Sequence, residues 1–240
     1  MRITTPRGVR LAAEVHGNGP SVVVMAHGFC SDRHSRGRFD RLARDFTGIG
    51  LSVVTFDFSG CGESDDDVIT LAHEVEDLRA VIAYVRAEGA TDIALHGHSL
   101  GGSVCLSAYD EGITTIVTTG GATGAMHYDW TQIYTVEQLQ EITRSGFTQD
   151  GRHVISQQTL DDFAQRDQHA LLDPVKAPIL LIHGDSDPEE RQLLALSRQA
   201  TLPPGSRLEV VEGAGHSFDG HMDEVSALAL DWYATHLRLP

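Results

Sequence analysis

Gly97-His98-Ser99-Leu100-Gly101 sets a serine between two glycines, directly after an apolar β-branched run and before an apolar helical period. G-x-S-x-G in a strand–turn–helix context is a nucleophile elbow. The glycines supply room: the serine must take a strained backbone conformation, and side chains at 97 and 101 would collide across the turn. The helix that follows aims its first N–H groups and its positive end at whatever Ser99 attacks. A serine hydroxyl is a weak nucleophile, so the motif demands a base and an acid that orients the base. The chemistry so specified is acyl transfer through a covalent serine intermediate.

After such an elbow the acid and then the histidine are expected in chain order, each on a loop after a later strand. The chain has 13 histidines, so position must choose among them. His216 follows the last apolar run, in the glycine-rich loop just after Gly213-Ala214-Gly215, and is the expected base. His96 and His98 read as packing beside the elbow, His183 as strand-end structure, and His221 as a lid or substrate contact. For the acid, Asp187 is favoured over Asp185, which stands one residue after Gly184 and would bond its own turn backbone. Two fixed N–H donors must meet the oxyanion. They are expected from Leu100 and from Phe29, where Gly28 permits the required turn. Cys30 beside that loop reads as a small packing residue. The glycine-rich stretch 57–64 lacks both G-x-G-x-x-G and a P-loop lysine, and reads as a structural turn.

The elements that must position these residues are legible in the apolar pattern. Runs at 21–26, 51–56, 92–95, 114–118, 179–182 and 207–211 are mostly continuous, as parallel strands covered on both faces require. Helical periods lie between them: Phe39, Leu42, Ala43 and Phe46; Leu71, Val75, Leu78, Ile82 and Val85; Val225, Leu228, Ala229 and Trp232. The alternation implies an α/β doubly wound, mostly parallel sheet with helices on both faces. Residues 1–16 read as an edge hairpin around Pro6-Arg7-Gly8.

Residues 124–173 break this rhythm with small polar elements and no buried-strand signal. Thr135 with Gln138 reads as a capping box, Asp150-Gly151 as a hairpin turn, and 160–164 as a short helix. So long a segment is more than a loop, and a lid over the strand ends is expected. The division is then 1–123 plus 174–240 as core, with 124–173 as lid. Met126, Tyr128, Trp130 and Tyr134 near the lid's start are the expected wall of an apolar or aromatic acyl pocket.

Composition narrows the partners. With 34 Asp+Glu against 18 Lys+Arg, the net charge is −16, which repels phosphate backbones and anionic lipid headgroups. A small-molecule substrate is expected, neither nucleic acid nor membrane, with a homodimer left open. No apolar run approaches the roughly 20 residues of a membrane span. The cysteines (30, 61 and 105) suggest neither a disulfide framework nor a zinc site, so no cofactor or metal is expected and a cytoplasmic home is the default.

Taken together, His27-Gly28-Phe29, residues 57–64, Gly97 to Gly102, His183 to Asp187 and Gly215-His216 resemble the α/β-hydrolase superfamily over essentially the whole chain. The Phe56-Asp57-Phe58 loop, the insert and the tail from Gly215 to Gly220 resemble its feruloyl (cinnamoyl) esterase branch. That resemblance implies Ser99, Asp187 and His216 as a triad, with Phe29 and Leu100 as oxyanion donors. The branch usually has Gln where this chain has Leu100, and a Val-Pro turn where Pro188-Glu189-Glu190 follows at once. The expected activity is a serine esterase of the carboxylesterase type. The alternatives are an acyl-thioesterase, a C–C bond hydrolase, or a non-catalytic ligand-binding scaffold.

Overall fold

The computed structural model describes residues 1–239. The chain begins with the edge hairpin β1 (Arg2–Thr4) and β2 (Arg10–His16), then β3 (Ser21–Ala26), α1 (Arg38–Gly48) and β4 (Ser52–Phe56). There follow α2 (Leu71–Ala87), β5 (Asp92–His98), α3 (Leu100–Ser107) and β6 (Thr115–Thr119). The insert holds α4 (Val136–Ser145), β7 (Phe147–Asp150), β8 (His153–Ser156), α5 (Gln157–Ala164) and α6 (Gln168–Leu172). The chain then returns through β9 (Ile179–Gly184), α7 (Pro188–Gln199), β10 (Arg207–Val211) and α8 (Met222–His236).

The main sheet has the order β1-β2-β4-β3-β5-β6-β9-β10. Its first two pairings are antiparallel, and every later one is parallel. The continuous apolar runs follow from burial on both faces. Along β3, Val22 and Val24 join one core with Leu78, Val81 and Ile82 of α2, while Val23 and Met25 join the other with Phe39, Leu42 and Phe46 of α1. Trp232 and Tyr233 of α8 complete that second layer. This is the expected α/β architecture with helices on both faces.

The insert between β6 and β9 carries the elements read from its sequence. Thr135 and Gln138 cap α4 reciprocally, and the β7–β8 hairpin turns at Gly151 with φ 60°. The hairpin docks on the core where Ile69 N–H donates to Val154 O at 3.2 Å. Among the described residues, no helix is long and apolar enough to cross a membrane.

The parallel strands all point their C-terminal ends at one rim, where ligands of open α/β sheets bind. From that rim β3 delivers residues 27–29, β5 delivers Ser99, β6 Gly120, β9 the turn into α7, and β10 the loop to His216.

Candidate active site

Ser99 sits between β5 and α3 at φ 54°, ψ −124°, a strained conformation for a residue with a side chain. Its surroundings hold it there: Ser99 N–H donates to Thr119 O at 2.9 Å, and Gly102 N–H to Ser99 O at 2.9 Å. A Cβ on Gly97 would strike the backbone of Gly101, and one on Gly101 would strike the carbonyl of Ala26. The two motif glycines therefore meet each other across the turn, as the spacing requires.

His216 brings its Nε2 to 2.9 Å from Ser99 Oγ. On the far side of the ring, Nδ1 lies 2.6 Å from Glu190 Oε1. Glu190 is fully buried, and its second oxygen accepts from Gly184 N–H at 2.8 Å and faces His183 Nδ1 at 3.3 Å. Burial alone would raise the Glu190 pKa, but the hydrogen bonds and charges of His183 and His216 outweigh it and hold the group at about 2. Burial likewise opposes the imidazolium of His216. The Glu190 hydrogen bond and the carboxylates of Glu189, Glu190 and Asp187 overcome this and raise its pKa above 6.5.

The expectation that Asp187 orients the imidazole is corrected by this geometry. Asp187 is the N-cap of α7: its Oδ1 accepts from Glu190 N–H at 2.8 Å. Its Oδ2 accepts from the backbone N–H of His216 at 2.7 Å, so it fixes the loop rather than the ring. Both oxygens being so committed, the ring is left to the carboxylate one helical turn further on. Asp185 is not an alternative, because its Oδ1 accepts from Gly213 N–H at 2.8 Å. Asp187-Pro188-Glu189-Glu190 carries the signal that sequence reading passed over: a cap residue, proline at the first helical position and glutamate at the third.

The loop after β3 lies against Ser99, since a Cβ on Gly28 would be 3.1 Å from Ser99 Cβ. His27 anchors this loop. Its Nδ1 lies 2.8 Å from Gly28 O while Nε2 accepts from Phe58 N–H at 3.1 Å, which assigns the proton to Nδ1. Leu100 opens α3, so its N–H has no partner within the helix. Residues 57–64 form a closed turn and no phosphate cradle. The N–H groups of Ser59, Gly60, Cys61, Glu63 and Ser64 all donate to neighbouring protein oxygens. Cys30 is free, and burial raises its pKa, as suits a packing residue.

A cavity of about 500 Å³ opens over Ser99 and His216, with Phe29 on its wall. The insert contributes Arg152 and His153 to that wall, and the four residues expected there lie elsewhere. Met126 is buried against Ala122 and Leu193. Tyr128 and Trp130 each pack on Phe163 at 5.3 Å, with Tyr134 behind Trp130; Phe163 in turn meets the Phe29 ring edge-on at 5.3 Å. The aromatic cluster thus backs Phe29 instead of lining the cavity. Tyr128 is linked to His216 through Glu189: its hydroxyl donates at 2.7 Å to Glu189, whose carboxylate is 3.9 Å from His216 Nε2.

Comparison with known proteins agrees with this architecture. The esterase Est1E of Butyrivibrio proteoclasticus, solved with ferulic acid bound, superposes with a TM-score of 0.79 at 20% identity, covering 98% of each chain. An esterase from Exiguobacterium antarcticum gives 0.76 at 18% identity over 97% of this chain and 98% of that one. A Mycobacterium tuberculosis protein that carries the provisional name of a phosphoribosyl transferase is 28% identical over 230 residues. That match takes in 91% of this chain but only 42% of the relative's length. The sequence model of the alpha/beta hydrolase family matches residues 23–228, and the chain belongs to that family.

Proposed function

We propose that the protein is a serine esterase that cleaves a small carboxylic ester, with Ser99, His216 and Glu190 as its triad. The hydrogen-bond chain from Ser99 Oγ through His216 to buried Glu190 carries this proposal. His216 Nε2 takes the Ser99 proton as Oγ bonds to the carbonyl carbon, and the carbonyl oxygen becomes an oxyanion. The N–H groups of Leu100 and Phe29 receive that charge; losing one such donor typically costs about 2.7–4 kcal/mol of transition-state stabilisation. The tetrahedral centre then collapses, the bond to the leaving oxygen breaks, and His216 returns its proton to the departing alcohol. Water repeats the sequence on the acyl-enzyme, releasing the acid and restoring Ser99. Glu190 stays ionised throughout, holding the Nδ1–H tautomer and stabilising the imidazolium. The Phe29 wall, backed by Phe163, suits an apolar or aromatic portion of the acyl group. Ferulic acid, bound in the Est1E esterase that shares the fold, is an aromatic acid of this kind.

A fluorophosphonate probe tests the assignment directly. It should label Ser99 in the folded protein and fail to label Ser99→Ala. Absence of label from the wild type would remove the hydrolase reading and favour a ligand-binding scaffold. Matched ester, thioester and C–C substrates then identify the bond, and preference for either of the last two would replace the ester.

A further inference from the structure

The chain carries a net charge of −16, yet Arg36, Arg38 and Arg152 line the cavity beside Ser99, against a single lining carboxylate, Asp32. That carboxylate is engaged locally, accepting from the N–H groups of His34 and Ser35 at 2.9 and 3.0 Å. Arg152 is paired with Asp66 at 2.7 Å. Arg38 differs, because all its hydrogen bonds go to neutral oxygens. It donates to Ser35 O and Ser217 O, both at 2.9 Å, and to Ser35 Oγ at 3.1 Å. Asp219, whose charge acts on it without an ion pair, accepts from the Ser217 hydroxyl at 2.6 Å. Arg36 is exposed at the cavity's edge and, among the described residues, has no ion pair of its own.

The backbone that presents these two guanidinium groups is strained. Ser35, Arg36 and Gly37 have φ of 47°, 58° and 84° in succession, and two of the three carry side chains. Left-handed conformations at such residues cost free energy and persist where the surroundings over-determine them. Here Asp32 and His34 tie the turn through Ser35 N–H and Gly37 N–H, both at 2.9 Å to carbonyl oxygens. An acidic protein thus keeps a strained turn whose effect is to hold two cations without acidic partners next to a nucleophilic serine. A planar guanidinium with donors to spare is matched to carboxylate and phosphate oxygens.

We propose that the substrate ester also bears a carboxylate or phosphate group, received by Arg36 and Arg38 while Ser99 attacks the acyl carbon. The proposal rests on the serine-hydrolase reading of the same site. The apolar part of the substrate meets Phe29, and its anionic end lies toward the arginine turn.

Matched substrates test it with charge as the variable. On the alcohol side, 4-acetoxybenzoate and 4-acetoxyphenyl phosphate are compared with 4-methylphenyl acetate. On the acyl side, mono-4-nitrophenyl glutarate is compared with 4-nitrophenyl valerate. At least one anionic ester should exceed its neutral partner in kcat/KM by about tenfold, and the excess should shrink with added salt. The arm that shows it distinguishes carboxylate from phosphate. Arg36→Ala and Arg38→Gln should each lower the anionic-to-neutral ratio about fivefold or more, a readout that a purely structural brace would not move. Arg36 makes no hydrogen bond that folding would miss, so its variant keeps the test open if Arg38→Gln fails to fold. Neutral esters favoured in every pair, or a ratio untouched by both substitutions, would overturn the proposal while fluorophosphonate still labels Ser99. Failure of that labelling would instead remove the hydrolase reading, and this proposal with it.

Discussion

Asp187 and Glu190 stand three residues apart at the start of α7, and the carboxylate of the first caps the backbone N–H of the second at 2.8 Å. That one bond separates their roles. Asp187 is used up on main-chain donors, those of Glu190 and His216, while the Glu190 side chain continues to the imidazole at 2.6 Å. Glu190→Gln should therefore lower kcat by about 10⁴-fold with the fold intact, because the amide can favour the wrong histidine tautomer. Asp187→Ala should cost about 1 kcal/mol of stability from the lost cap, with a smaller loss of activity from a loosened His216 loop. Steady-state kinetics and urea unfolding of both variants decide the matter. A larger kinetic loss in a folded Asp187→Ala protein than in Glu190→Gln would return the acid's role to Asp187.

The pH profile should report His216. Its pKa is raised above 6.5, and the base must be neutral to accept the serine proton, so kcat/KM should fall on acidification with a midpoint above 6.5. Glu190, held at about 2, remains ionised across that range and adds no second limb. Glu190→Gln removes a raising influence, so whatever activity remains should show its acid limb at lower pH. An unshifted limb would mean that Glu190 does not act on the ring's charge.

Gly120 guards the same contact from the end of β6. A Cβ there would lie 2.5 Å from Glu190 Oε1 and 2.9 Å from His216 Nδ1, at a backbone φ of 58°. Gly120→Ala should displace the pair and lower kcat/KM by about 100-fold or more, since misplacement near 1 Å has that effect. Thermal unfolding should also show destabilisation from the left-handed backbone. Wild-type kinetics in a folded Gly120→Ala protein would contradict this account of the site.

His27 should matter without touching substrate. His27→Leu leaves the buried Phe58 N–H without an acceptor, a loss of about 1–3 kcal/mol. It also frees the loop that carries Phe29, so kcat should fall more than KM rises. Denaturant midpoints and Michaelis parameters on one neutral ester measure both effects, and a kcat equal to wild type would separate His27 from the oxyanion loop.

Much of this arrangement is legible in the chain. Ser99, the strand runs and the loop to His216 are local matters: a strained elbow needs glycine on both sides, and strands buried on two faces need unbroken apolar residues. The same holds for the insert's capping box at Thr135 and its turn at Gly151, where side-chain and backbone requirements lie within a few residues. The acid is different. Asp187 has the more conventional position, and Glu190 declares itself only through helix chemistry, because a capping aspartate spends its oxygens on N–H groups before any ring can claim them.

The sequence by itself determined the fold family and the strained elbow at Ser99, through residues whose local backbone admits few alternatives. Tertiary structure decided which carboxylate faces His216 and which side chains face the substrate. Tyr128 and Trp130 turn to Phe163 because aromatic surface is better buried against aromatic surface than exposed in a wet cavity. Arg152, more than a hundred residues away in the chain, meets Arg36 and Arg38 on one wall because the turn after β3 and the β7–β8 hairpin flank the same strand ends. A net charge of −16 describes the whole surface, whereas a substrate meets the few charges within a Debye length of about 8–10 Å, and only folding determines which those are.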